Sequence, residues 1–325
     1  MKNNERQFFI YDVEAYSGKS GAQVPSMQTL AQVWSRHAVA GTAQHPIRNN
    51  SATLLIGDVV VDAANRIVTI LVRISDTASP NSVYSDPSTA LFQEHPKTGR
   101  TGGDVGAHVL VSLAPERGRP NIYTCAVERV PGLGSELVQR ILNRVLRNQF
   151  SSDPTLFSYP HPLGAVDANQ RPLRETSLPL LEFRGRPAQD FIDDINSGKL
   201  NGITLIREET ATPVGGVPYL VKKESDIKIA VDHGNVPRNV WGGVQRAVRS
   251  MAATYPEAAL HFMLPGEKRA VSVRINATTG APLEELYIKS ERLANITPFL
   301  ADSAQQVVQH LNRRAKGIVR RERDV

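Results

Sequence analysis

The sequence predicts an α+β protein, and three observations carry that prediction. Apolar strand-like runs follow one another through short turn-forming links, as at Thr53–Val61 and Arg66–Ser75 joined by Asp62-Ala63-Ala64-Asn65. Links that short suit antiparallel neighbours, since parallel strands need long crossovers. Helical periodicity is confined to separate stretches, chiefly Ser135–Phe150, Pro237–Thr254 and the C-terminal end. Between the halves, Ser151–Thr176 holds Pro154, Pro160, Pro162 and Pro172 with little periodicity. The expected organisation is therefore an N-terminal antiparallel β meander or partial barrel with helices (1–150), a linker or ordered surface arm (151–176), and a C-terminal α+β domain (177–325) ending in a basic amphipathic helix.

Taken in order, the first half opens with a strand at Gln7–Tyr16 and a short helix at Ser26–His37, where Met27, Leu30, Val33 and Trp34 share a side. After the two strands joined at Asp62–Asn65, Asp76–Asp104 carries Pro80, Pro87, Pro96, Gly99, Gly102 and Gly103, which predicts a long excursion with at most a short strand at Ala90–Glu94. Strands at Ala107–Leu113 and Asn121–Arg129 follow. The chain then turns at Pro131-Gly132-Leu133-Gly134 into a helix starting at Ser135, whose hydroxyl suits a cap. In the second half, Leu178–Arg184 reads as strand, Ala188–Ser197 as a helix opened by Pro187 and stopped by Gly198, and Leu200–Glu208 as strand. Tyr219–Val231, Ala258–Leu264, Arg269–Asn276 and Leu283–Lys289 are further strands, and a helix from about Pro298 to Arg321 ends the chain.

Composition excludes several classes. With 325 residues, 41% hydrophobic content and one cysteine, the chain suits a globular core without a disulfide framework or a cysteine-rich zinc site. Cys125 sits in an apolar run, where a thiol is buried and inert. No apolar stretch approaches the roughly 18 residues needed to cross a bilayer. The opening MKNNERQFFIYDVE puts acids where a signal's apolar region would lie, so the expectation is a cytoplasmic chain with no direct membrane insertion. A formal charge of +6 favours a polyanionic partner without requiring one.

Three helices repeat one design: a broad apolar arc with arginines on the remaining stripe. The first carries Arg140, Arg144 and Arg147 opposite Leu137, Val138, Ile141, Leu142, Val145, Leu146 and Phe150. The second carries Arg238, Arg246 and Arg249 opposite Val240, Trp241, Val244, Val248 and Met251. The last carries Arg313, Arg314, Lys316, Arg320 and Arg321, with Arg323, off a stripe of Val307, Val308, Leu311, Ala315, Ile318 and Val319. Such rows can meet phosphates, each contact releasing counterions, and the planar fork of arginine suits phosphate better than lysine does. The other reading is a solvated face whose last-turn cations are favoured by the helix dipole. The phosphate reading asks the rows to converge into one track.

Signals of catalysis are sparse. Asp226-Ile227-Lys228 on a predicted strand matches part of an acid-x-lysine nuclease signature, in which a carboxylate holds a divalent metal, but no well-placed upstream acid precedes it. Asp232-His233-Gly234 reads as a turn, and histidines 37, 45, 95, 108, 161, 261 and 310 lack metal-ligand spacing. No phosphate loop, dinucleotide fingerprint or nucleophile elbow is present, so neither cofactor, metal nor catalytic residue is assigned.

Two resemblances bear on function. Val130-Pro131-Gly132-Leu133-Gly134 followed by Leu137, Val138 and Ile141 resembles the hairpin of a helix-hairpin-helix DNA-binding motif, but Ile122–Val127 before it reads as strand where that motif needs a helix. The stretches EFRGRPAQDFIDDINSGKLNGITLIREE, IKIAVDHGNVPRNVWGGVQRAVRSM and AVSVRINATTGAPLEELYIKSERL are similar, in the order of their elements, to phage-exclusion proteins of the RexA type and, more loosely, to Kiwa defence proteins of the KwaB type. The resemblance covers about the last 145 residues and rests on element order. It implies a homodimeric, non-sequence-specific DNA-binding protein of prophage exclusion or antiphage defence, with a membrane-protein partner. It carries over no catalytic residue. The alternatives are a metal-dependent nuclease using Asp226 and Lys228, and a non-enzymatic protein-interaction scaffold.

Overall fold

The computed structural model describes residues 2–99, 101–197, 199–214, 217–235, 239–263 and 270–323. It is α+β, built on antiparallel sheets, and divides into two compact units: Met1–Phe183 with Glu291–Val325, and Arg184–Ser290.

The first unit contains β1 (Arg6–Ser17), α1 (Met27–Val39), β2 (Gln44–Ile47), β3 (Ala52–Asp62), β4 (Ile67–Asp76), β5 (Ser82–Asp86), β6 (Leu91–His95), β7 (Gly103–Ser112), β8 (Ile122–Glu128) and α2 (Ser135–Ser152). The arm beyond α2 holds β9 (Ser158–Pro160) and β10 (Arg174–Thr176), and β11 (Pro179–Gly185) follows it. The second unit supplies α3 (Gln189–Ser197), β12 (Lys199–Val214), β13 (Val217–Ala230), α4 (Val240–Met251), β14 (Glu257–Met263) and β15 (Ala270–Asn276). The chain closes with β16 (Ser290–Leu293) and α5 (Gln309–Arg323).

In the first unit the strands run β11-β1-β8-β7-β4-β3-β2, with β16 also pairing β1. Both faces of this sheet are covered, which explains the near-continuous apolar composition of β4, β7 and β8. Strand alternation puts Phe8, Ile10, Ile67, Leu110 and Ala126 on one face, where they pack with Leu311, Ala315, Ile318 and Val319 of α5. Their neighbours Phe9, Tyr11, Val13, Ile70, Val109, Cys125 and Val127 face the other way and are buried. That second face carries α1 and α2, which lock together where the Trp34 indole N–H donates to the Leu142 carbonyl at 3.3 Å. Ser26 caps α1 through Thr29, whereas α2 is capped by Gly134 with no side-chain bond, so Ser135 is the first helical residue and not the cap.

The second unit is a four-stranded sheet, β13-β12-β14-β15, with α3 and α4 on one face. Phe191 of α3 is its hub, with its ring 5.4 Å from Trp241, 6.2 Å from Phe262 and 5.1 Å from Tyr287.

Four expectations need correction. The division at residues 150–177 fails because the terminal helix returns to the first sheet: its apolar stripe finds its match on β1, β4, β7 and β8, so the compact second unit ends at Ser290. The stretch 151–176 stays within expectation: of the linker and the ordered arm it takes the arm, tied back by the β9–β10 pair and by Lys19 to Glu175 at 2.8 Å. The excursion 76–104 holds a two-stranded hairpin, β5 with β6, where a single short strand was expected. Leu283–Lys289 forms a 3-10 turn at Glu285–Tyr287 with one bridge from Ile288 to Pro187, and the neighbouring strand starts at Ser290. Residues 298–308 are not part of the last helix, which starts at Gln309.

Candidate nucleic-acid interface

The rows of cations predicted on α2, α4 and α5 have different fates. On α2, Val138, Ile141, Leu142, Val145 and Leu146 are buried and Arg140, Arg144 and Arg147 are exposed. None of the three is paired with a carboxylate among the described residues. At 1.5 Å rise per residue the row spans roughly 10 Å. His45, on the sheet-edge strand β2, stands beside it: partial burial and then the Arg144 and Arg140 charges hold its imidazole below the usual histidine range. The two arginine charges, which add to burial in disfavouring the imidazolium, favour an anion at the same place.

On α4, Val240, Trp241, Val244 and Val248 are buried while Arg246 and Arg249 are exposed. Arg249 donates its Nε to the Thr278 carbonyl at 3.0 Å, and Arg246 reaches the Gly242 carbonyl at 3.4 Å. Arg238 lies outside the described residues.

On α5 the cations split. Arg314 donates to the carbonyls of Ala294 and Asn295, and Arg321 is neutralised by Glu291. Both hold the chain that leads into the helix, which is structural work. About 100° round the helix, Arg313, Lys316 and Arg320 line a cleft against the β3–β4 turn. There Lys316 meets Asp62 at 2.5 Å, and its hydrogen bond, with those from Asn65, holds the Asp62 carboxyl well below its ordinary range.

The rows on α2 and α5 do not form one track. α2 and α5 pack on opposite faces of the first unit's sheet, so their exposed sides point away from each other. The reason is in the strands: both faces of β1, β4, β7 and β8 are apolar, so each requires its own helical cover, and the outer side of each cover is left to solvent.

Sequence reasoning missed a buried polar network beneath α5. Arg6 Nε meets Glu128 Oε1 at 2.7 Å, and Glu128 Oε2 takes both the His108 backbone N–H at 2.9 Å and the His108 ring at Nδ1, 2.7 Å away. The ring's Nε2 accepts from the Val308 amide at 3.0 Å, so Nδ1 is the nitrogen that donates to the carboxylate. Arg6 completes its bonding on the carbonyls of Lys2, Glu5 and Ala301. This network anchors the segment before α5. The available signal was Glu128 ending an otherwise apolar strand in register with Phe8.

The remaining candidates behave as follows. Asp226 and Lys228 are exposed on β13, and no group of three metal-competent side chains occurs among the described residues. Asp232 accepts from the Gly234 amide and the Asn235 side chain, which closes a turn around His233. Cys125 is fully buried, which pushes its thiol well up. The Val130–Gly134 turn follows strand β8, so the geometry is strand-turn-helix and the helix-hairpin-helix expectation is withdrawn. No helix among the described residues is long and apolar enough to cross a membrane.

These features define a two-unit α+β protein whose helices carry exposed arginines. Comparison with family models, with curated proteins and with solved structures finds no match.

Proposed function

We propose that this chain binds DNA through the phosphate backbone, without sequence preference, and that the outer face of α2 is its main contact surface. The observation that carries the reading is the row Arg140, Arg144 and Arg147: exposed, on one helix face, and without a carboxylate partner among the described residues. Guanidiniums that no acid neutralises keep their full attraction for phosphate. Arg246 and Arg249 of α4, exposed in the second unit, offer a further contact. The likeness in element order to phage-exclusion and Kiwa-type defence proteins supports placing this binding in prophage exclusion or antiphage defence, with the chain as a homodimer and a membrane protein as partner.

The test is a salt titration of binding to duplex DNA by fluorescence anisotropy. Each phosphate contact adds about 0.9 to the log-log slope, so Arg144→Ala lowers the slope by about one per site. Replacing Arg140, Arg144 and Arg147 together by glutamate abolishes binding and leaves the fold intact. Undiminished binding by that variant removes α2 from the interface.

A second reading, a protein-interaction scaffold, draws on one observation. The β5–β6 hairpin exposes Val83, Tyr84, Leu91 and Phe92, and a two-stranded ribbon alone is barely stable in water. If that reading holds, Tyr84→Ser with Phe92→Ser disrupts self-association in light scattering while DNA binding persists.

A further inference from the structure

The cleft between α5 and the β3–β4 turn, on the sheet face opposite α2, has the makings of a discrete anion site. It encloses about 380 Å³ and is lined by Asn312, Arg313, Lys316, Gly317 and Arg320 of the helix and by Asp62 and Asn65 of the turn. Its floor is Asn312, only 1% exposed. The amide oxygen accepts from Thr69 Oγ1 at 2.8 Å, which fixes the side chain, yet its Nδ2 is buried with no hydrogen-bond partner. A buried amide donor left unsatisfied is costly, so its retention calls for an acceptor supplied from outside.

Charge points the same way. Asp62 neutralises Lys316, but no described carboxylate pairs with Arg313, and Arg320 reaches only the Asn65 side-chain oxygen at 3.4 Å. The cleft thus carries an excess of two positive charges. Gly317 adds room: a Cβ there would meet nothing closer than the Arg321 guanidinium at 3.4 Å, so packing does not demand glycine in mid-helix, where it is less favourable than alanine.

We propose that this cleft binds a phosphate monoester dianion, with Arg313 and Arg320 on its outer oxygens and Asn312 Nδ2 donating to an inner one. Two charges on the ligand balance the two in excess. Three free oxygens match three donors set at different depths. A terminal phosphate can enter far enough to reach the buried amide, whereas a phosphodiester, continued by chain on both sides, cannot seat as deeply. The assignment is independent of the α2 interface, since the two lie on opposite faces of one sheet.

The experiment is a calorimetric titration of the full chain with inorganic phosphate, paired with heteronuclear NMR of the side-chain amides. The expected result is saturable binding at millimolar phosphate or tighter, with the Asn312 amide resonance moving in step. Arg313→Ala with Arg320→Ala, both exposed positions, weakens binding at least about tenfold, the loss typical of charge-assisted hydrogen bonds. Arg117→Ala with Arg171→Ala, two exposed arginines outside both surfaces, removes equal charge elsewhere and leaves phosphate binding unchanged. Two arms identify the source of the group: a nucleoside monophosphate, and an oligonucleotide compared with and without its terminal phosphate. Tighter binding of either than of free phosphate, lost in the α5 variant, names that source. Absence of saturable binding, an unmoved Asn312 amide, or equal loss in the Arg117/Arg171 control overturns the proposal.

Discussion

Arg6 and Glu128 form an ion pair at 2.7 Å with 3% of each side chain exposed, on the sheet face that α5 covers. Neither charge has solvent to fall back on, and the carboxylate also holds His108. Removing one partner therefore leaves the other charged and buried. Glu128→Ala is expected to lower unfolding free energy by about 3–5 kcal/mol in urea denaturation, while Arg6→Met combined with Glu128→Leu recovers most of that loss. A double variant no better than Glu128→Ala would mean the network is needed for more than its own charge balance.

Occupation of the α2 face should be readable at His45. Its imidazole is held low by partial burial and by Arg144 and Arg140. A phosphate seated on those arginines offsets their charge, so the His45 titration followed by NMR moves to higher pH in the DNA complex. An unchanged titration places the DNA elsewhere. In the free protein the sign for stability is also fixed: the unfolded chain takes up this proton first, so stability declines as pH falls below about 6.5, the ordinary histidine value. His45→Gln should remove that part of the decline.

Asp62 behaves in the opposite sense. Hydrogen bonds from Lys316 and Asn65 hold its carboxyl well down, so its contribution is present above the unfolded value of about 3.9 and is lost as pH falls through the lowered one. Asp62→Asn should cost about 1 kcal/mol at neutral pH, the size of an ordinary hydrogen-bond loss. In thermal melts the gap from wild type should close in strong acid. A gap that persists there would show a loss of turn geometry unrelated to charge.

The second unit hangs on Phe191, 1% exposed and in ring contact with Trp241, Phe262 and Tyr287. Phe191→Ala is expected to cost about 3–5 kcal/mol and to change the Trp241 emission at lower urea than in wild type. Emission that still tracks wild type would show that the ring cluster relaxes into the cavity.

Cys125 gives a control for the first unit. Its thiol is buried and its pKa raised, so a thiol-specific reagent should react only as the protein unfolds. Fast labelling of the native chain would contradict the burial of the β1–β8 face.

The long core strands, the helices' apolar stripes and the cationic rows were legible because they depend on local periodicity: β4 announces itself by Ile67–Val72, and α2 by its alternation of Leu, Ile and Val with arginine; short pairs such as β5–β6 and β9–β10 carry no such period. Thr69 in β4 and Asn312 in α5 were the overlooked signals, each a polar residue on a side that must be buried. Their meaning depends on each other, across 243 positions of chain, and no window along the sequence contains both.

Sequence alone determined the α+β class, the amphipathic design of three helices and the outward placing of Arg140, Arg144, Arg147, Arg246 and Arg249, since each follows from the angle or alternation of neighbouring residues. Only the tertiary structure decided that the last helix returns to the first sheet and that α2 and α5 cover opposite faces of it. It also decided which cations are spent on Asp62, Glu291 and backbone carbonyls. The reason is physical: an apolar stripe specifies that it must be buried but not against what, and the partner is settled only when all the apolar faces of the chain compete to leave water at once.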